Sequence, residues 1–221
     1  TLALIGDVRG KKVIEYGCGT GRVTQYLLEA ELIMAIDFSY ESLCLVKEKC
    51  QDKDNLALVQ SEITSLQIVP QSFNIAVSIQ VVEHIPTFDL RSKFFQLVRR
   101  ALGDGGYFVF SVYHFDLRRK IKGLAREGIH KSGVPFHYFT KSSLKREIER
   151  FFLIRVIKNI DITWPGEVRL GLFNYFGGQL SRLGEKIPLI KNFGHLILVK
   201  MIANPSYVHY QWGVIGQYFF V

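Results

Sequence analysis

Short apolar runs, separated by segments with helical spacing, restrict the fold of this chain more than any other feature. Five such runs lie in the first 115 residues: KKVIEYG at 11–17, LIMAIDF at 32–38, Leu56–Gln60, Phe73–Ile79 and 107–113. A strand with so few polar positions must be buried on both faces, which is typical of a parallel sheet covered by helices. The pattern predicts an α/β fold with a doubly wound sheet.

Apolar residues at helical spacing lie between and after these runs, which predicts helices connecting the strands. The predicted helices cover 20–30, 39–50, 90–102 and 141–152. Ser39 and Thr140 stand at the starts of two of them, where a hydroxyl can accept a hydrogen bond from the first helical turn. The glycines of GDGG at 103–106 are expected to end the third.

The second half of the chain continues the sheet less regularly. Two further runs, Phe152–Ile162 and 195–203, predict a sixth and a seventh strand. Between them lies a segment rich in Gly, Leu and Phe, 164–193, which we predict to be a helical insert. We expect one domain over 1–204, with helices on both faces of the sheet. The aromatic tail over 205–221 is expected to pack against the domain or a second subunit.

Basic residues are concentrated in one part of the chain. Residues 117–158 hold 12 Lys or Arg and 3 Asp or Glu, whereas the whole chain has a formal net charge of +8. Such a block is most often a solvated surface, but it also fits an anionic substrate, a nucleic acid or an anionic membrane. A cytoplasmic location is favoured, because the cysteines are few and scattered and the sequence shows neither a signal peptide nor a membrane-spanning run. Peripheral contact with a membrane is left open.

A glycine-rich loop, EYGCGTG at 15–21, follows the first predicted strand. Glycines let a backbone turn sharply and approach a ligand closely. A dinucleotide fingerprint would need its third glycine at position 22, which is Arg22, and the Lys-Ser/Thr of a P-loop does not follow. The loop therefore favours a ligand with a charged amino-acid tail, whose ammonium would meet Glu15 and whose carboxylate would meet backbone N–H groups.

An aspartate, Asp37, stands at the end of the second predicted strand, 20 positions after Gly17. A carboxylate at the tip of this strand can accept hydrogen bonds from both hydroxyls of a ribose. A glycine loop alone is a weak signal, but the loop and Asp37 together, in a strand–helix–strand context, are a strong one. The combination predicts a ribose-containing ligand with an amino-acid tail.

With these residues the chain resembles the class I S-adenosylmethionine-dependent methyltransferases, from about Arg9 to Ala203. EYGCGTG matches the family's E/D-x-G-x-G-x-G motif, and AIDFS resembles its ribose-binding second strand. Two further segments resemble the ends of the family's third and fourth strands: LVQSEITSL and VSIQVVEHI. Two others resemble its fifth strand and its reversed last strand: GGYFVFSVYH and HLILVKMIA. The resemblance implies a Rossmann-like, mostly parallel seven-stranded sheet with an antiparallel last strand. It also implies S-adenosylmethionine as the cofactor, S-adenosylhomocysteine as the product, and no metal.

The resemblance further implies which residues hold the cofactor. Phe38 would flank the adenine, and Glu62 would meet its amino group, although aspartate is commoner there, with the N–H of Ile63 alongside. Ile79 and Gln80 would border the methionine part. The glycine loop and the second strand would supply the other cofactor-binding residues: Glu15, Gly17, Cys18, Gly19, Gly21 and Asp37.

Methyl transfer from a sulfonium mainly requires positioning and the exclusion of water, because the leaving group is already activated. A general base is needed only where the acceptor must lose a proton. The candidates are His84, His137 and Glu83, in that order. By resemblance Glu83 and His84 would face the methyl group, although a structural hydrogen bond is an equally good reading of His84. His137 lies in a segment that often borders the acceptor pocket in the family.

The acceptor is predicted from apolar segments. The insert 164–193 and the aromatic residues 136–139 would form a lid over the acceptor, which favours a small organic or lipid-like molecule; packing of the insert as ordinary core is equally open. No Asn/Asp-Pro-Pro-Tyr/Phe segment follows the fourth strand, which counts against methylation of nucleic-acid bases. Two alternatives stay open: a methyltransferase acting on RNA or protein, docked through the basic block, and a non-catalytic cofactor-binding domain.

Overall fold

A computed structural model describes residues 1–51, 53–162 and 194–204 of the chain. Its strands are β1 (Lys12–Tyr16), β2 (Leu32–Asp37), β3 (Leu56–Gln60), β4 (Phe73–Ile79), β5 (Leu102–Tyr113), β6 (Glu127–Ile129), β7 (Pro135–His137), β8 (Phe152–Ile162) and β9 (Gly194–Ala203). Its helices are α1 (Leu2–Ile5), α2 (Tyr40–Lys49), α3 (Phe88–Ala101), α4 (Leu117–Ile121) and α5 (Lys141–Ile148). Two 3₁₀ turns cover Thr24–Tyr26 and Val82–His84.

Seven strands form one sheet in the order β3-β2-β1-β4-β5-β9-β8. Neighbouring strands are parallel except at β9, which runs antiparallel to both β5 and β8. This confirms the predicted doubly wound, mostly parallel sheet with a reversed last strand. The chain turns back across the sheet between β1 and β4, and in such folds ligands bind at this switch point, outside the carboxyl ends of the strands.

The two faces of the sheet carry separate apolar cores. Phe94 and Phe95 of α3 and Leu144 of α5 are fully buried on one face. Leu43 and Val46 of α2 are buried on the other. Strands β1, β2 and β4 contribute to both cores, so the middle of each is apolar, as the runs in the sequence predict.

Side-chain caps begin four of the described helices, α2, α3, α4 and α5. The hydroxyl of Ser39 accepts a hydrogen bond from the N–H of Ser42 at 3.1 Å, as predicted. Thr140 and Ser143 form a reciprocal capping box at the start of α5. At α3 the cap is Thr87, so this helix begins at Phe88, two residues before the predicted start.

The predicted helix over 20–30 is wrong. Gly21 has φ 74°, outside the helical region, and the segment after it forms turns and one 3₁₀ turn. The N–H groups of Tyr26 and Leu27 bond to carbonyls three residues back. The hydroxyl of the fully buried Thr24 donates to the carboxylate of Glu15 at 2.7 Å. The apolar spacing of this segment therefore reflects burial of turn residues against the sheet.

Two other boundaries differ from the prediction. Helix α5 ends at Ile148 instead of 152, because the chain turns there and buries Phe151 and Phe152 as β8 begins. The GDGG segment lies inside β5, where the pairing with β4 is irregular, and Gly105 has φ 71°. Helix α3 therefore passes into β5 through the extended residue Leu102 without a glycine cap.

A short hairpin between α4 and α5 was not predicted from the sequence. Strands β6 and β7 pair antiparallel, with Ile129 opposite Pro135 and Glu127 opposite His137. Each strand has three residues, too few to show an alternating pattern. The predicted insert at 164–193 and the tail at 205–221 lie outside the described residues. None of the described helices has the length and apolar character needed to cross a bilayer.

A buried ion pair fixes the segment between β4 and α3. Arg91 donates from Nε and Nη2 to the two carboxylate oxygens of Glu147, at 2.8 and 3.0 Å, and joins α3 to α5. Its Nη1 also donates to the carbonyl of Ile85 at 3.1 Å. Both charged side chains are buried, so the bidentate geometry offsets a desolvation cost of several kcal/mol per ion. The loop after β4 is thereby held against two helices.

Candidate functional site

A cavity of about 910 Å³ lies across the carboxyl ends of β1, β2, β3 and β4. Its size is within the range of small-molecule sites. The residues predicted to hold a cofactor line it, except Gly21: Glu15, Gly17, Cys18, Gly19, Asp37, Phe38, Glu62, Ile63, Ile79 and Gln80. The structure therefore brings together residues that are up to 65 positions apart in the chain.

The carboxylate of Asp37 holds the glycine loop in place. Its Oδ2 accepts a hydrogen bond from the N–H of Gly19 at 2.7 Å, and its Oδ1 accepts one from the N–H of Ser39 at 3.0 Å. A carboxylate oxygen has two lone-pair sites, so each oxygen retains one for a ligand hydroxyl. Asp37 is thus anchored at the cavity wall with two acceptor positions to spare.

Two glycines of the loop are required for different reasons. Gly17 has φ 70°, and a Cβ there would lie 2.4 Å from Cγ2 of Val81, on the loop that follows β4. Gly21 has φ 74°, and a Cβ there would lie 3.2 Å from Cγ2 of Val46 in α2. Gly17 therefore allows two cavity-lining loops to approach closely, whereas Gly21 allows the loop to pack against a helix.

The carboxyl of Glu15 is buried at the floor of the cavity and accepts a hydrogen bond from Thr24. Burial raises its pKa to about 7, with the charge of Asp37 adding to the shift and the Thr24 hydroxyl opposing it. A cationic ligand group at this point would restore the ionised form. Burial also raises the pKa of the Cys18 thiol, so this cysteine is neutral and lines the loop as a small side chain.

A strained residue lies at the end of β4. Gln80 has φ 59°, in the left-handed region that non-glycine residues rarely adopt, and such strain is concentrated at functional sites. Its side-chain Oε1 accepts a hydrogen bond from Nη2 of Arg22 at 2.9 Å, across the cavity. The sequence offered no signal for this contact, because it joins loops 58 residues apart.

Three predicted adenine-side residues lie at the cavity wall with different degrees of burial. Phe38 is 73% exposed, so one face of its ring is available to a planar ligand, whereas Ile63 is buried. Glu62 is exposed, and its Oε1 accepts only long hydrogen bonds from Thr64, of 3.3 and 3.4 Å. Its carboxylate therefore retains acceptor sites for a ligand amino group.

His84 is the one candidate base that lines the cavity. Its Nδ1 lies 2.9 Å from the carbonyl oxygen of Pro135. A carbonyl can only accept, so the hydrogen bond assigns the ring proton to Nδ1 and leaves Nε2 as the atom able to take a proton. Both readings of His84 in the sequence therefore have structural support, because it is anchored by a hydrogen bond and keeps a basic nitrogen.

Five aromatic side chains, one of them His84, form a closed ring of contacts at this cavity. The neighbouring centroids around the ring are 4.6 to 6.1 Å apart, in the order His84, Tyr113, Tyr138, Phe136 and His130. These distances are typical of favourable aromatic pairs. All five side chains are half-buried, so they form a wall that combines β5 with the β6–β7 hairpin. Sequence reasoning missed this wall because the hairpin itself was not predicted.

His137, the second candidate base, lines a different cavity of about 530 Å³, with Phe88, Arg126, Glu127, Ser143, Arg146 and Glu147. Its Nδ1 lies 2.9 Å from Oε2 of Glu127. Burial lowers the pKa of His137, so the contact is a hydrogen bond from a neutral ring more than an ion pair. The structure does not bring His137 to the cavity that holds Asp37.

Glu83, the third candidate, is fully buried and is not among the residues that line the larger cavity. Neither of its carboxyl oxygens has a hydrogen bond of normal geometry within the described residues. Burial raises its pKa to about 8, and the nearby backbone N–H groups of Glu83 and Tyr113 offset only part of that shift. Glu83 is therefore largely protonated at neutral pH. No group of side chains in the described ranges could hold a metal ion.

Residues 14–110 match the family model of the methyltransferase domain. The match covers 97 of the 221 residues, and over them the chain carries a methyltransferase domain. The same fold is seen in an S-adenosylmethionine-dependent methyltransferase from Mesorhizobium loti, with a TM-score of 0.67, 19% identity, and 91% and 94% of the two chains covered. The fold is also seen in the N-methyltransferase NodS from Bradyrhizobium japonicum, in complex with S-adenosylhomocysteine. Here the TM-score is 0.63 and the identity 11%, and the match covers 91% of this chain and 83% of NodS.

A curated relative of this methyltransferase is the fatty-acid O-methyltransferase of Mycolicibacterium smegmatis. The two are 28% identical over 111 residues, which are 48% of this chain and 38% of the relative. The matched region thus spans about two fifths of the relative's length.

Glu83→Gln in this methyltransferase is expected to increase stability at high pH. A carboxyl whose pKa is raised on folding contributes full stability below its unfolded pKa and loses it as pH rises through the folded value, here from about 4.5 to about 8. The gain in free energy of unfolding should grow by a few kcal/mol between about pH 5 and pH 9. Chemical denaturation at both pH values measures it, with Glu29→Gln at an exposed position as the control. A gain of equal size at both pH values would contradict the assignment.

Proposed function

We propose that this chain transfers the methyl group of S-adenosylmethionine to a small organic or lipid-like acceptor. The observation that carries the proposal is the anchored carboxylate of Asp37, beside a glycine loop on a cavity of about 910 Å³. S-adenosylmethionine supplies a methyl group on a sulfonium, a leaving group that needs no further activation. The work left to the protein is to orient the two reactants and exclude water.

The residues at the cavity fit this cofactor. Asp37 has two free acceptor positions for ribose hydroxyls, and Glu15 is buried where an ammonium would stabilise its ionised form. Phe38 and Ile63 offer apolar surface to the adenine. The missing Cβ of Gly17 leaves the loops after β1 and β4 close together, so the methionine part would lie between them. Each of these features matches one chemical part of the cofactor.

The acceptor side of the cavity is apolar. Its wall is formed by Ile85, Leu90, Val134 and Pro135. The group of five aromatic side chains that includes His84 continues this wall. Such a surface binds apolar molecules by removing their area from water. The fatty-acid O-methyltransferase among the relatives supports an acceptor of this kind.

The need for a base depends on the acceptor atom. A carboxylate is already ionised at neutral pH and can attack the methyl carbon directly, with the C–S bond breaking as the C–O bond forms. A hydroxyl must lose its proton as it attacks, and Nε2 of His84 is the atom that would take it. We therefore assign His84 the role of general base for hydroxyl acceptors and a positioning role for carboxylates.

Asp37→Ala is expected to weaken S-adenosylmethionine binding by about 100-fold or more, because two hydrogen bonds to a charged acceptor are lost. Asp37→Asn keeps one oxygen acceptor and should lose less. Calorimetric titration with S-adenosylmethionine and S-adenosylhomocysteine measures both. Asp54→Ala, at an exposed acidic position outside the cavity, is the control. Equal affinity in wild type and Asp37→Ala would remove the basis of the proposal.

The affinity for S-adenosylmethionine is expected to rise with pH. Glu15 has a pKa of about 7 in the free protein and must be ionised to meet the ammonium, so protonation at lower pH competes with binding. Affinity should rise up to about tenfold between about pH 6 and pH 7.5. Glu15→Gln should bind more weakly and show a much flatter profile. A wild-type profile without slope over this range would rule out the ammonium contact.

His84→Asn is expected to separate the two acceptor classes. With a long-chain alcohol or phenol, kcat should fall by about 10²- to 10⁴-fold, whereas with a fatty acid it should change little. Affinity for S-adenosylmethionine, measured by titration, should stay near the wild-type value. His137→Asn is the matched comparison, since that ring lines the other cavity. A large loss in His137→Asn together with full activity in His84→Asn would reverse the assignment.

A further inference from the structure

Exposed apolar side chains are concentrated in one stretch of the chain, 117–134. Thirteen large apolar side chains are exposed in the described part of the protein, and five of them lie in this stretch: Leu117, Ile121, Leu124, Ile129 and Val134. Exposed apolar residues that are scattered singly are normal, but a concentration of them marks an interaction site. Ile121 and Ile129 are 74% and 72% exposed, so most of their apolar area faces water.

Two of these side chains share one side of α4, and a third follows the end of the helix. Leu117 and Ile121 are spaced i and i+4, which places them on one helical face. The helix closes through Gly123, which has φ 60°, and the N–H of Leu124 donates to the carbonyl of Arg119 at 3.0 Å. Leu124 is 44% exposed just after this end, so the segment 117–124 presents three apolar side chains to water.

The β6–β7 hairpin carries the other two side chains and is attached to α4. Ile129 and Val134 flank the hairpin turn, where the N–H of His130 donates to the carbonyl of Val134 at 2.8 Å. The guanidinium of Arg119 lies 3.6 Å from the ring centroid of Tyr138, which follows β7. Arg126, before β6, donates to the carbonyl of Tyr138 at 3.0 Å. Helix and hairpin therefore form one connected surface.

The same stretch is strongly basic. It holds six Lys or Arg and one Asp or Glu, a net charge of +5 over 18 residues. Arg118 pairs with Asp116 at 2.9 Å, so its charge is partly compensated. Lys120, Lys122 and Lys131 are exposed. Exposed ammonium groups and exposed apolar side chains therefore occur in the same 18 residues.

We propose that the surface formed by α4 and the β6–β7 hairpin, residues 117–137, docks onto an anionic lipid membrane. Basic residues near such a membrane are attracted by its negative surface potential, and apolar side chains between them enter the headgroup region. A nucleic acid would match the lysines but would gain nothing from exposed isoleucine side chains. The charge and the apolar area together match a lipid surface.

This docking surface adjoins the acceptor side of the larger cavity. Val134 and Pro135 line that cavity, and the carbonyl of Pro135 holds His84. The hairpin that would enter the headgroup region thus also forms the cavity wall. A molecule partitioned into the membrane would meet the cavity without first entering water. Membrane docking goes beyond the proposed methyl transfer and holds for any acceptor.

Vesicle co-sedimentation of the full chain tests the proposal without measuring activity. Binding to phosphatidylcholine vesicles containing about one third phosphatidylserine should exceed binding to phosphatidylcholine alone and should weaken with added salt. The double variant Ile121→Ser/Ile129→Ser should reduce the partition coefficient on the order of tenfold or more. Lys120→Glu/Lys122→Glu should reduce it by at least about fivefold for each charge reversed.

Matched controls distinguish this surface from a general effect of substitution. Val69 is 74% exposed, as Ile121 is, and lines a different cavity together with Lys93. Val69→Ser/Lys93→Glu should therefore bind vesicles as the wild type does, and thermal melting verifies that each variant is folded. Equal binding to both vesicle types, or unchanged binding by Ile121→Ser/Ile129→Ser, would overturn the proposal. So would preferential binding of single-stranded RNA that responds only to the lysine variant.

Discussion

The carboxylate of Asp37 is the contact on which the site depends. It stands at the end of β2, yet it accepts the N–H of Gly19 in the loop after β1, at 2.7 Å. A glycine-rich loop has a large conformational entropy when free, so a charged acceptor is needed to hold it in one shape. The same oxygens face the cavity. One side chain therefore both shapes the loop and offers acceptors to a ligand, which couples the order of the site to its recognition chemistry.

Burial sets the protonation of the carboxyl groups around the cavity. Glu15 lies at its floor with a pKa raised to about 7, poised for ionisation by a cationic ligand group. Glu83 lies deeper, with a pKa raised to about 8, and is held mostly neutral within the fold. Both follow from desolvation, yet only Glu15 lines the cavity and has a hydroxyl partner. Residues of one type thus acquire different functions from their depth.

The β6–β7 hairpin connects the wall of the larger cavity to the protein surface. Pro135 anchors His84, and Phe136 belongs to the aromatic wall beside that histidine. On the outer side, the same hairpin presents Ile129 to solvent. A short two-stranded hairpin has little stability alone, so it must be held in place by these contacts. Arg119 and Arg126 add further contacts, with the segment that follows β7. The order of this cavity wall therefore depends on how the hairpin packs against the rest of the domain.

The sequence by itself determined the strands of the large sheet and the caps at Ser39 and Thr140, because apolar periodicity and capping patterns are local properties of the chain. Ten of the cavity-lining residues were predicted from the glycine loop, Asp37 and the resemblance to a known family. The sequence also predicted a helix over 20–30 that is absent, because burial of Thr24 against Glu15 is a tertiary contact that overrides helical spacing. Only the tertiary structure decided that His84 reaches the cavity while His137 lines another one, and that Gln80 accepts a hydrogen bond from Arg22. These outcomes depend on strand order and on contacts across more than 50 residues, which no local pattern encodes.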